Sequence, residues 1–247
     1  MLITKGIKMA DVIHTNYFTL TVLNRFGIEL GFGDKTVEEV CKMNQVGLDF
    51  FLEIVNTFVD EDYFPKKHLQ TFPVKYITDY LQKAHDDYHN RIVPEIEFLI
   101  VEMVNSCYTQ KENIVLLKKF FNDYKKELLN HTRREEEVVF PYTLSIEKEY
   151  NKEKPDQSIL ELMEAYSIDI FENEHDNIEE KLFDLKNIII KYLPQPKNSK
   201  LCNKLLYELF NLEQDLSDHS RIEEKVLVPK IRQMEKLIAQ RITKATS

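Results

Sequence analysis

Apolar residues recur at helical spacing along most of this chain. Over residues 10–26 they fall at Val12, Ile13, Tyr17, Leu20 and Leu23, and Gly27 follows as a helix-ending glycine would. Gly31-Phe32-Gly33-Asp34 reads as a turn. Thr36, with Glu39 three residues on, has the form of a capping box and predicts a short helix. A third short helix is predicted over about residues 47–59. The stretch 60–67 is polar, charged and broken by Pro65, which makes it a candidate boundary.

Four long amphipathic patterns follow, over residues 74–107, 112–148, 158–193 and 200–242. The breaks between them are short and polar, and two carry proline (Pro155; Pro194 and Pro196). Long helices with short connections predict an all-α fold: an antiparallel up-down four-helix bundle over residues 73–242, preceded by a small helical domain over residues 9–60. Pro94, Pro141 and Pro229 fall inside or near the end of predicted helices, and each is expected to kink or end its helix.

Composition narrows the class. Only 5 glycines are present, too few for the tight turns of an all-β fold. With 42 acidic against 33 basic side chains the net charge is −9, which argues against nucleic acid as a partner. Residues 1–15 lack the apolar stretch of a signal peptide, and no run approaches the ~20 apolar residues of a membrane span. Cys41, Cys107 and Cys202 are far apart, as suits buried thiols in a reducing compartment rather than a disulfide framework. The expectation is a cytoplasmic protein that binds neither nucleic acid nor membrane. The acidic surface and small N-terminal domain are compatible with a homodimer.

The chemistry lies in a repeat. His131 to Pro141 and His219 to Pro229 share the pattern H-x-R-x-E-E-x-V-x-x-P, six fixed positions in eleven. Residues i and i+4 share a helix face, so His131 with Glu135 and His219 with Glu223 each present an imidazole and a carboxylate together. His85 and His175 supply one histidine on each remaining helix, and the four histidines are separated by 46, 44 and 44 residues. An isolated helical histidine is usually a surface or hydrogen-bonded residue, and one HxxxE pair can be a surface ion pair. The repeat argues for a metal centre of His85, His131, Glu135, His175, His219 and Glu223. Four imidazoles and two carboxylates able to bridge suit a pair of first-row ions with an open position. Iron is preferred, two ions bridged by both carboxylates and an oxo or hydroxo group; manganese, zinc or a mixed pair remain alternatives. His89 shares a face with His85, which is preferred because it keeps the spacing. His14 and His68 are read as non-ligands.

On these residues the chain resembles the hemerythrin-like superfamily, and within it the iron-sulfur cluster repair di-iron family. The resemblance covers about residues 76–232: Ala84-His85 with Tyr88 and Pro94, the two repeat copies, and Glu174-His175. It implies the same six ligands, and acidic residues at Glu127 and Glu174 lining access to the metals. Residues 27–37 are similar to that family's N-terminal signature loop, but Gly31 and Phe32 stand where the family has adjacent cysteines. The resemblance implies repair of iron-sulfur clusters damaged by nitric oxide or oxidants, with damaged iron-sulfur proteins as partners. The alternative is a hemerythrin-like carrier or sensor of small gas ligands, O2 or NO.

Overall fold

The computed structural model describes residues 2–60, 62–107, 112–173 and 178–246, and the regular elements among them are all helical. The N-terminal segment holds α1 (Met9–Thr15), α2 (Thr19–Arg25), α3 (Val37–Met43) and α4 (Leu48–Val59), followed by the single turn α5 (Lys66–Leu69). The helix predicted over residues 10–26 is therefore two helices. Asn16 breaks it: its backbone is extended (φ −153°, ψ 115°), and its Oδ1 accepts the Phe18 amide at 2.9 Å. Asparagine offers the backbone this local partner in place of the helical ladder. Gly27 does close α2. At φ +69° it lets the Ile28 amide turn back to the Leu23 carbonyl at 2.9 Å. Thr36 and Glu39 form both hydrogen bonds of the expected capping box.

The bundle consists of four rods. The first runs α6 (Val74–Asp87), a π-turn (Tyr88–Ile92) and α7 (Val93–Cys107); the second runs α8 (Glu112–Arg134), a π-turn (Glu135–Val139) and α9 (Phe140–Tyr150). The third comprises α10 (Ser158–Ala165), α11 (Ile168–Asn173), α12 (Ile178–Asn187) and a π-turn (Ile188–Tyr192). The fourth runs α13 (Ser199–Ile222), a π-turn (Glu223–Leu227) and α14 (Val228–Thr246). α6 packs on α9, and α7 on α8, so the first two rods run antiparallel; α12 packs on α8 and α13, which turns the third rod against both neighbours. The third rod is not the continuous helix that the sequence pattern predicted. Tyr166 is extended (φ −151°, ψ 128°), and the Ile168 amide that restarts the chain donates to Glu235 Oε1 of α14 at 3.0 Å. A long-range carboxylate thus caps the new helix, a partner that local patterning does not reveal.

The three prolines, Pro94, Pro141 and Pro229, do not end their rods. Each stands six residues after the first residue of a π-turn, in which the amide of Val93, Phe140 or Val228 reaches back five residues to Tyr88, Glu135 or Glu223. The third rod repeats the device with Leu193 bonding back to Ile188, and there Pro194 follows the rod's end. A proline ring collides with the carbonyl four residues back in an α-helix; the wider π-turn makes room for it and lets the helix resume.

The buried apolar residues fall into two clusters stacked along the bundle. One joins the N-terminal segment to α6 through Leu81, to Val139–Ile146 and to Ile222–Ile242. The other spans Ala84–Met103, Leu117–Leu128, Ile178–Ile189 and Cys202–Leu216. In three of the rods the junction lies between Leu81 and Ala84, Leu128 and Val139, and Leu216 and Ile222. The polar residues between them form a layer across the core.

Candidate metal centre

His85 projects from the last turn of α6, His131 from α8, and His219 from α13, while Glu135 and Glu223 are each the first residue of a π-turn. The repeat therefore encodes a local device: a histidine, a glutamate one turn later where the helix widens, and the proline that requires the widening. His85, Glu135, His219 and Glu223 are 0, 1, 5 and 0% exposed, an unusual degree of burial for two carboxylates. One donor atom from each of these four lies within 4.8 Å of the others.

The contacts inside the layer are short. His85 Nε2 is 3.1 Å from Glu135 Oε2 and 3.2 Å from His219 Nε2. His131 Nε2 is 2.9 Å from Glu135 Oε1, and His219 Nε2 is 3.0 Å from Glu223 Oε1. The two oxygens of Glu135 thus face two different histidines. His85 turns its other nitrogen outward, with Nδ1 2.9 Å from Glu136 Oε1, and stacks on Phe140 at 5.7 Å between ring centroids. Glu136 therefore sets which imidazole nitrogen faces inward, as carboxylates behind metal-binding histidines do.

The layer holds protons in the metal-free protein. Burial pulls the His85 imidazolium down, but Glu135 and Glu136 outweigh it and push its pKa up to about 9. Burial, reinforced by the neighbouring His85, pushes His219 down to about 3. Burial opposes ionisation of Glu135, yet His131 and His85 hold it well below the usual carboxylate range. His131 is raised as well, because Glu135 outweighs its burial, so two imidazoles of the layer hold protons more tightly than in water.

These residues fit a metal. Both oxygens of Glu135 and Nδ1 of His219 are buried with no partner in hydrogen-bonding geometry, which in an apolar core is costly unless something else satisfies them. Two donors bound at right angles to one first-row ion, each about 2.1 Å away, stand about 3 Å apart, and the four contacts above measure 2.9–3.2 Å. Imidazole nitrogen and carboxylate oxygen suit iron, zinc or manganese. The cluster can hold a metal ion.

Of the six residues singled out in the sequence, five come together here; His175 lies outside the described residues, as does Glu174. His89 does not join them. Its Nε2 lies 2.7 Å from Thr132 Oγ1, whose hydroxyl is given to the Leu128 carbonyl at 3.0 Å, so the ring donates. His14 is exposed, and His68 pairs with Glu53 at 2.7 Å. Glu127 is ion-paired with Lys181 at the surface. Sequence reasoning missed the role of Glu136, although the second fixed glutamate of the repeat was its signal. It also missed Asp215, which lies one turn before His219.

No family model matches the chain. The chain is similar to Iron-sulfur cluster repair protein ScdA of Staphylococcus haemolyticus, 19% identical over 235 residues that cover 93% of this chain and 99% of that protein. It is also similar to Iron-sulfur cluster repair protein YtfE of Salmonella paratyphi B and of Salmonella newport, each 21% identical over 199 residues, covering 80% of this chain and 83% of those proteins.

Proposed function

We propose that this chain is an iron-sulfur cluster repair protein whose buried His/Glu layer holds two iron ions, with His85, His131, His175 and His219 as terminal ligands and Glu135 and Glu223 as bridges. The observation that carries the reading is Glu135: a buried carboxylate whose two oxygens face different histidines, in a chain similar over nearly its whole length to iron-sulfur cluster repair proteins. Iron bound there would supply redox chemistry and an open position for exchange with a damaged cluster, or for nitric oxide. Towards that iron the protein supplies a dry pocket, two carboxylates that offset cationic charge, and Glu136 to orient His85. Ion loading displaces the inner proton of His85, so binding and proton release are coupled.

The partners in this reading are iron-sulfur proteins damaged by nitric oxide or oxidants, met in a reducing cytoplasm, and the working form is a homodimer. Residues 9–60 act as a small domain beside a bundle over residues 73–242. Repair here does not use the adjacent cysteines that Gly31 and Phe32 replace. Gly31 holds φ +102°, a conformation a cysteine would adopt only under strain, and Cys41 and Cys202 are buried. No helix among the described residues is long and apolar enough to cross a membrane.

The test is recovery of an iron-sulfur enzyme after nitric oxide exposure in cells carrying the wild-type chain or His131→Ala. Wild type is expected to speed recovery and the variant to lose that effect. Equal recovery with both, together with purified protein devoid of iron, would sink the proposal.

A further inference from the structure

Arg25, at the end of α2, is only 6% exposed. Burying a guanidinium is costly unless it is paired, so its partners indicate what it serves. Nη2 donates to the Asp215 carboxylate. Nη1 lies 3.3 Å from the Tyr80 hydroxyl, and the guanidinium carbon stands 5.6 Å from the ring centres of both Tyr80 and Tyr88. Asp215 is one helical turn before His219. Tyr88, wholly buried, meets the His219 ring edge-on at 5.9 Å and the His85 ring at 6.5 Å. A side chain of the N-terminal segment is thus locked onto Asp215, one turn before His219, and onto Tyr88, whose ring meets those of His85 and His219.

We propose that Arg25 is a positioning residue for the metal centre, through which the docked N-terminal segment fixes Tyr88 and His219 and sets the charge the ions meet. The proposal rests on the reading of the layer as an iron site. Its physical content is a balanced pair. Removing Arg25 leaves the Asp215 charge uncompensated beside the site, which favours the more highly charged, oxidised ions. Removing the Asp215 charge leaves Arg25 uncompensated and favours the reduced ions. Mere loosening of the fold would not give opposite signs.

The experiment is a spectroelectrochemical titration of iron-loaded wild type, Arg25→Gln, Asp215→Asn and the double variant, with a thermal melt of each. The oxidised-to-reduced ratio at fixed potential is expected to rise about tenfold in Arg25→Gln and fall about tenfold in Asp215→Asn, where tenfold corresponds to about 59 mV for one electron. Iron-retaining single variants that do not shift, or that shift in the same direction, overturn the proposal. If a single variant fails to fold, the double variant, which strands no buried charge, is read instead. It is expected to melt with the wild type but to release iron to a chelator about tenfold faster, and a wild-type release rate overturns the proposal. Wild-type protein that takes up no iron defeats the iron reading itself. Loaded wild type with indistinguishable variants defeats only the role of Arg25.

Discussion

Raising the pH from 6.5 to 9 should destabilise the metal-free protein chiefly through His85, with the raised His131 acting in the same direction. His85 is completely buried, and its pKa is raised from an ordinary 6.5 to about 9 by Glu135 and Glu136 acting against burial. A folded-state pKa above the unfolded value means that the native protein holds the proton more tightly. The stabilisation is fully present below pH 6.5 and is lost as pH rises through 9. At 1.36 kcal/mol per pKa unit, this loss is about 3 kcal/mol, a large share of the ~5–15 kcal/mol that holds a typical domain together. His219, pushed down to about 3, stays neutral across this window when folded; its cost appears only below pH 6.5, where the unfolded chain takes up a proton. Urea denaturation of chelator-treated protein at pH 6.5, 7.5 and 9 measures the effect, with His85→Gln as the control. Wild type should lose about 3 kcal/mol across the range, and the variant should lose much less. Equal stability of wild type at pH 6.5 and 9 would refute the assignment of the inner proton to His85.

Metal affinity should have the opposite pH dependence, rising about tenfold per pH unit towards 9, because each ion bound at His85 displaces a proton; a competition titration at several pH values tests this. Glu136→Gln should keep the fold but weaken metal binding about 10- to 100-fold, since it removes the group that orients His85; unchanged affinity would mean Glu136 is only a surface carboxylate. His89→Ala should leave metal content unchanged while His85→Ala lowers it, and the reverse result by elemental analysis would reassign the first-rod ligand. Asp215→Ala should cost about 3–5 kcal/mol in denaturant unfolding, because it leaves the Arg25 guanidinium buried and alone.

The long helices, the capping box at Thr36 and the terminating glycine at Gly27 were legible because each is written in neighbouring residues. So was the pairing of His131 with Glu135 and of His219 with Glu223, which follows from helical spacing alone. The break at Asn16 was locally encoded as well, in an asparagine that prefers its own backbone, but apolar periodicity running through it hid the signal. The break at Tyr166 was not local at all, since Glu235 of a distant helix caps the restart. A proline inside a helical pattern signals a kink or an end, and apolar periodicity alone does not show the wider turn that accommodates it. The fixed interval of six residues from Tyr88, Glu135, Ile188 and Glu223 to the next proline marks four π-turns. The Arg25–Asp215 pair, 190 residues apart in sequence, has no local signature, and only packing brings it beside His219.

Everything proposed for the buried layer depends on its holding two irons. Elemental analysis of the purified protein, with an absorption spectrum of the same sample, tests it most directly. About two irons per chain are expected, lost when Glu135 is replaced by alanine. No iron, or one zinc that survives Glu135→Ala, would contradict it.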